Sequence, residues 1–315
     1  MREMTSGLPY LQTNWMEFQN SIINAGRTIE HERMNGEIAG GRIKNGLTRL
    51  EIPENLLVVG DLHGDMGALD SVLCDMRNEE FLSNPRNKII FLGDYVDRGT
   101  GSIEVLQKVC DLKSRYPDVV ILMRGNHEAP EDFPFQSHGL PSEITGRFGE
   151  HGTPAYNKVL DLFRLLTLVT IVGDKLFLVH GGPPTETRYM QDHHLSNAAE
   201  LQARKDVLEE ILWSDPRSMG DVPFEKSRRL FGKHFGETVS RSCLDSFGTK
   251  VIVRSHEPCQ RYKIDHGGMV LTIFSCGEAY PKFEPSYMFI TGEQLKWVSG
   301  ATDLVPHIKK IKKGL

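Results

Sequence analysis

Between Leu56 and Glu128 three short apolar runs each end in a loop rich in Gly, Asp, His and Asn. Leu56-Leu57-Val58-Val59 ends in GDLHGD (60–65), Ile89-Ile90-Phe91-Leu92 in GDYVDRG (93–99), and Val119 to Met123 leads into GNHE (125–128). Continuous apolar runs of this length suit strands buried on both faces. The stretches between them carry Leu69, Val72, Leu73 and Met76, then Ile103, Leu106, Val109 and Cys110, spaced as the inward stripe of a helix. Strand, loop and helix in succession predict parallel βαβ units. Binding groups in such units gather where loops leave the carboxyl ends of the strands. Three loops distant in sequence should therefore meet on one edge of one sheet.

The second half reads as hairpins. Leu168 to Val172 and Lys175 to Val179 flank Gly173-Asp174, and the latter run ends in His180-Gly181-Gly182. Val251-Ile252-Val253 ends in Arg254-Ser255-His256, and Met269 to Phe274, Tyr287 to Thr291 and Leu295 to Val298 read as further strands. The expected fold class is α+β in four αββα layers: two packed mixed β-sheets, with the βαβαβ unit as scaffold, flanked by helices. Trp15, Phe18, Ile22 and Ala25 predict a helix from Asn14 to about Glu32, after which Gly36, Gly40, Gly41 and Gly46 interrupt any regular pattern. The chain is accordingly divided into a helical N-terminal extension (1–50), a catalytic domain (51–300) and a basic C-terminal tail (301–315) in which Lys309, Lys310, Lys312 and Lys313 are solvated.

Composition narrows the function. With 315 residues, 25% charged residues and a net charge of −5, the chain is expected to be globular, with no nucleic-acid or membrane partner. The most apolar stretch, Leu165 to Val172, is too short to span a bilayer. Cys74, Cys110, Cys243, Cys259 and Cys276 are odd in number and form no CxxC pair, which argues against a disulfide framework or a zinc ribbon and for a reducing, cytoplasmic setting.

Six residues converge at the strand ends: Asp61, His63, Asp94, Asn126, His180 and His256. Three oxygen donors and three imidazoles suit Mn²⁺, Fe or Zn²⁺ better than Ca²⁺. Six ligands exceed one tetrahedral site and suit two divalent ions ~3.5–4 Å apart, bridged by a carboxylate and a water. Such a pair makes hydroxide available near neutral pH and holds phosphate oxygens in line for displacement. The leaving alkoxide needs a proton, for which His127 follows Asn126. Asp97 is placed to orient that histidine, and Arg98 to clamp phosphate. Each motif alone reads as turn chemistry, a helix cap or a structural histidine. Their joint occurrence, in order, at equivalent strand ends, carries the metal-site expectation.

GDLHGD, GDYVDRG, RGNHE, HGG, LWSDP and RSH resemble, in that order, the signatures of the PPP family of serine/threonine protein phosphatases, within the calcineurin-like metallophosphoesterases. The resemblance covers Leu56 to about Phe274. It implies that Asp61, His63 and Asp94 hold one metal, that Asp94, Asn126, His180 and His256 hold the other, and that Asp94 bridges. It implies His127 as general acid with Asp97 as partner, phosphate binding by Arg98 and Asn126, phosphoprotein substrates, and regulatory subunits in some members. Arg228-Arg229-Leu230-Phe231-Gly232-Lys233-His234-Phe235-Gly236 resembles the family's R-G-x-x-x-x-F-G and makes Arg229 the second phosphate-binding arginine, with Leu230 replacing the usual glycine and Arg228 as a substitute.

Two segments depart from the family. Ser275-Cys276-Gly277-Glu278-Ala279-Tyr280 stands where S-A-P-N-Y-C-G-E is usual, and Ala129-Pro130-Glu131-Asp132-Phe133-Pro134-Phe135 stands in place of C-A-S-I-N-R. With the N-terminal extension, they point to a prokaryotic, archaeal branch. The expected activity is hydrolysis of phosphoserine and phosphothreonine esters by a metal-activated water. The alternatives are a dinucleoside tetraphosphate hydrolase or another metallophosphoesterase on the same site. Asp97 and Glu128 side with the protein phosphatases, because the dinucleotide hydrolases read GDLVGRGP and GNHD.

Overall fold

The three apolar runs form Asn55–Val59, Lys88–Phe91 and Val120–Leu122 in the computed structural model, which describes residues 13–76, 78–195 and 204–312. They pair side by side in parallel. Ser286–Thr291 joins Asn55–Val59 antiparallel, and Ile308–Lys310 forms the edge beyond it, completing a five-stranded mixed sheet. An eight-stranded mixed sheet runs Glu37–Ile38, Gly41–Lys44, Leu47–Leu50, Val169–Val172, Leu176–Val179, Val251–Arg254, Val270–Ile273 and Tyr262–Asp265. A small third sheet joins Phe224–Lys226, Lys233–Phe235 and Asp215–Pro216.

The strand period of two sorts the apolar side chains into layers. Leu56, Val58, Ile90 and Ile121 face Leu176, Leu178, Val251, Val253 and Leu271 in the core between the two large sheets. Leu57, Val59, Ile89, Phe91, Val120 and Leu122 point the other way, onto the helices Trp15–Asn35, Met66–Asp75, Ser102–Arg115, Leu140–Phe148 and Gly152–Phe163. The outer face of the larger sheet is covered by Lys205–Trp213 and Glu237–Phe247. These are the expected four αββα layers.

The helix Trp15–Asn35 is capped by Asn14, whose Oδ1 accepts from the Glu17 amide (2.9 Å), and ends at Gly36 in the left-handed region (φ 74°). Phe18, Ile22, Ala25 and Ile29 bury its inner stripe, and Glu32 pairs with the buried Lys113 ammonium. Three expectations give way around it. Residues 37–50, read as an interrupted part of a helical extension, are three strands of the larger sheet, because Leu47–Leu50 pairs in parallel with Val169–Val172. Leu295 to Val298, read as a strand, begins at the last residue of the short helix Gly292–Leu295 and continues into a turn, and the Thr291 and Gln294 side chains close a capping box at that helix's start. The basic tail is not free but gives the five-stranded sheet its edge strand: Ile308 is buried, while Lys309, Lys310 and Lys312 are exposed as expected, Lys309 over the Phe289 ring and Lys310 bonded to Glu284 (2.6 Å). Lys313 lies outside the described residues.

Candidate active site

Each loop that follows a central strand delivers one or two polar side chains to the same edge. Asn55–Val59 leads to Asp61 and His63, Lys88–Phe91 to Asp94, and Val120–Leu122 to Asn126 and His127. From the larger sheet, Leu176–Val179 leads to His180 and Val251–Arg254 to His256. All seven are buried. The loops turn so sharply that the backbone leaves the ordinary regions. Among the described residues, eight non-glycine residues have positive φ, and His63, Asp94, Asp97, Arg98 and His256 are five of them. Each such conformation costs ~1–3 kcal/mol and persists only where the surroundings enforce it.

The enforcement is visible. Glu128 Oε2 accepts from the amides of Asp94 (2.8 Å) and Gly125 (2.9 Å), and Oε1 from Tyr95 (2.9 Å), so one carboxylate ties the second loop to the third. Burial raises its pKa to about 7 against those three amides. A Cβ on Gly93 would sit 2.3 Å from the Gly125 amide nitrogen, so these loops approach as closely as glycine allows. Ser255 Oγ accepts from the Asp61 amide (2.9 Å). Asp65, the second aspartate of GDLHGD, caps the following helix at Ala68 and holds the Gly277 and Glu278 amides (2.8 Å each), which anchors the divergent 275–280 loop. The structural roles of Glu128 and Asp65 were missed in the sequence reading; their place within motifs was the only signal.

The donor set fits a metal. His63 Nδ1 donates to the Val96 carbonyl (3.0 Å) and His180 Nδ1 to the Leu92 carbonyl (2.9 Å), so each Nε2 turns a lone pair inward. Burial pulls His180 down to about 4 and His256 well below its ordinary value, so both imidazoles are neutral near pH 7. His180 Nε2, His256 Nδ1 and Asn126 Oδ1 then converge within 2.8–3.2 Å of one another. Two of these three are acceptors facing each other, an arrangement that hydrogen bonding satisfies poorly and a cation satisfies well. Asp61 Oδ2 is buried with no hydrogen-bond partner and lies 3.6 Å from His63 Nε2. Two triples bring ligand atoms within 4.8 Å of one another, His63–Asp94–His127 and Asp94–His180–His256, and Asp94 is common to both. The first includes His127 rather than Asp61. His127 Nε2 stands 4.0 Å from Asp94 Oδ2 while its Nδ1 is committed to Asp97, so Asp61, with its unpartnered oxygen, is the better third donor.

Burial, then the neighbouring Asp61 and Glu128 charges, pushes Asp94 well above the carboxylate range. A cation beside it would reverse that push. Burial also raises Asp61, but the neighbouring His63 and His180 imidazoles outweigh it and hold its carboxyl low.

His127 Nδ1 bonds Asp97 Oδ2 at 2.6 Å, and its ring packs edge-on against His63 and Phe135. Burial lowers it to about 3, against the pull of Asp97. A cavity of about 170 Å³ opens over this edge, lined by Asp94, His127, Arg98, Arg229 and Tyr280 among others. Arg229 is fixed by Asp215 of LWSDP (Nε to Oδ2, 2.7 Å), and Asp215 also takes Arg254 of RSH (2.9 Å). Arg228 lines a neighbouring cavity with Arg217 and Glu225, which Arg229 borders as well.

The calcineurin-like phosphoesterase family matches residues 55–260, the span from the first site strand through His256, and the chain belongs to that family. Curated proteins to which it is similar include serine/threonine-protein phosphatases. Phosphatase T of Schizosaccharomyces pombe is 32% identical over 244 residues, covering 76% of this chain and 47% of that protein. Phosphatase 7 of Arabidopsis thaliana is 31% identical over 282 residues, covering 75% and 66%. Phosphatase 5 of Homo sapiens is 29% identical over 264 residues, covering 82% and 51%. The chain thus spans about half the length of the curated relatives it matches. Among solved structures, a protein serine/threonine phosphatase from Saccharomyces cerevisiae superposes with a TM-score of 0.72 at 21% identity, covering 89% of this chain and 83% of that one. This likeness bears on the fold. Among the described residues no helix is long and apolar enough to cross a membrane.

Proposed function

We propose that this chain is a metal-dependent serine/threonine protein phosphatase acting on phosphoserine and phosphothreonine in protein substrates. The observation that carries the reading is the pairing of His127 with Asp97 at 2.6 Å beside two overlapping ligand triples that share Asp94. Asp61, His63 and Asp94 would hold one ion, and Asp94, Asn126, His180 and His256 the other. Bound divalent ions would supply the positive charge that polarises the phosphoryl group and acidifies a water. Arg98 and Arg229 receive the phosphoryl oxygens from the solvent side of the cavity, where a planar guanidinium can bond two at once. His127 acts in its imidazolium form, which the Asp97 carboxylate at Nδ1 and a bound phosphate would favour: Nε2 gives its proton to the serine or threonine oxygen as it leaves, and the ring returns to neutral with its Nδ1 hydrogen still bonded to Asp97. Three imidazoles favour Mn²⁺, Fe or Zn²⁺ over Mg²⁺, which prefers oxygen. Regulatory subunits and a cytoplasmic location are part of the same proposal.

The substrate class is tested by offering phosphoserine, phosphothreonine and phosphotyrosine peptides beside diadenosine tetraphosphate. Phosphate release from the first two supports the reading; nucleotide release from the dinucleotide with idle peptides would replace it with the hydrolase alternative. The division between the paired arginines is tested at the same bench. Arg229→Ala should raise KM by ~10–100-fold through loss of a charged contact worth ~1.5–3 kcal/mol, with metal content intact, and Arg228→Ala should change it little. The reverse order of effects would transfer the clamp to Arg228.

A further inference from the structure

The Asp97 carboxylate does not serve His127 alone. Its Oδ2 also bonds His138 Nδ1 at 2.8 Å, and its Oδ1 accepts from the amides of Gly139 (2.8 Å) and Leu140 (2.9 Å) at the start of the helix Leu140–Phe148. His138 Nε2 in turn meets the Tyr156 hydroxyl at 2.7 Å, on the helix Gly152–Phe163. Phe135 packs its ring edge against both histidines, at 4.7 and 5.6 Å between centroids. His138 and Tyr156 are partly exposed where Asp97 is buried, so the chain of bonds runs from the helical layer inward to the acid. His138 lies in the Gly/Pro/His-rich stretch that follows GNHE, the part of the chain where the motif resemblance lapses.

We propose that His138 is a positioning residue for the general acid: it shares Asp97 with His127 and, anchored by Tyr156, fixes the carboxylate that orients the His127 ring. The assignment rests on the phosphoester reading of the site. The proton inventory follows from the geometry. Burial raises Asp97, but its bonds to His127 and His138 outweigh that and hold the carboxyl low, so it is ionised and only accepts. Both Nδ1 atoms must therefore carry hydrogen. The other ring nitrogen of His138, Nε2, meets the Tyr156 hydroxyl, which burial and the Asp97 charge keep a phenol. His138 thus caps the second bonding direction of Oδ2 and leaves the carboxylate one orientation, the one that points at His127. Without it, Asp97 keeps its amide contacts at Oδ1 but can turn Oδ2 away or take up water.

The test uses phenyl phosphate and 4-nitrophenyl phosphate with the whole chain, and a phosphoserine peptide beside them. His138→Leu removes the donor, and His138→Asn returns an N–H near the position of Nδ1. Loss of acid positioning slows a poor leaving group more than a good one, because the good one needs no proton. For His138→Leu we expect kcat on phenyl phosphate to fall ~10-fold and on 4-nitrophenyl phosphate less than ~3-fold, with metal content unchanged; His138→Asn should recover most of the loss. Equal loss on the two esters, no loss on either, or failure of His138→Asn to recover the phenyl ester would overturn the assignment. Should His138→Leu not fold, Tyr156→Phe, which removes only the hydroxyl, must show the same selective loss in smaller degree, or the assignment fails. A wild-type chain that splits both aryl esters but leaves the phosphoserine peptide intact would defeat the protein phosphatase reading and leave the His138 result standing.

Discussion

Asp94→Asn will cost the chain both its metal and its turnover. Asparagine keeps the size of the side chain and an oxygen to accept from the His127 amide (2.9 Å), so the loop can still close and the fold should survive. What disappears is the charge common to both ligand triples. Bridging metal charge stabilises the transition state by several kcal/mol, so the expected fall in kcat is on the order of 10³-fold or more. Metal analysis of the purified variant should find the content well below wild type under identical loading. A variant that keeps full metal and activity would show that Asp94 is structural, held in its strained turn (φ 54°) for the sake of the loop.

His127→Asn separates the acid from the ligands. Here metal content should persist, because Asp61, His63, Asp94, Asn126, His180 and His256 are untouched. General-acid catalysis contributes ~10²–10⁴-fold, and hydrolysis of a phosphoserine peptide should fall by that factor. An aryl phosphate with an acidic phenol should suffer less, since its leaving group departs without a proton. Loss of metal in this variant would instead favour the tight triple His63–Asp94–His127 as a true ligand set. Equal losses on both substrates with metal intact would remove His127 from the acid role.

The parts of the molecule that were legible in the sequence are those governed by short-range rules. Unbroken apolar runs announced the central strands, and the polar loops at their ends announced the edge where Asp61, Asp94 and Asn126 would meet. The layers followed from the helical stripes between them. What escaped depends on weak local signals or distant partners. Asn45-Gly46 lies between Gly41–Lys44 and Leu47–Leu50, and with Asn45 at φ 50° it is a two-residue hairpin turn. Four glycines in eleven residues drew attention away from it. Ile308–Lys310 is too short to read as a strand, and its two lysines resemble a tail because they face outward from an edge. Thr291 and Gln294 were a readable helix start at the junction of two segments read as strands. His138 could not be read at all: its partner Asp97 is 41 residues away and its anchor Tyr156 another 18 on, and only the fold brings the three together. The divergent 275–280 loop is similar, since its seat is Asp65, 212 residues earlier, and Tyr280 at its end lines the cavity.

The measurement that tests the central claim most directly is phosphate release from a phosphoserine peptide by chelator-treated protein, followed as Mn²⁺ and, separately, Mg²⁺ are returned. The account predicts no turnover in the metal-free protein, recovery with Mn²⁺ that levels off at two equivalents per chain, and weaker recovery with Mg²⁺. Full turnover in metal-free buffer would contradict it.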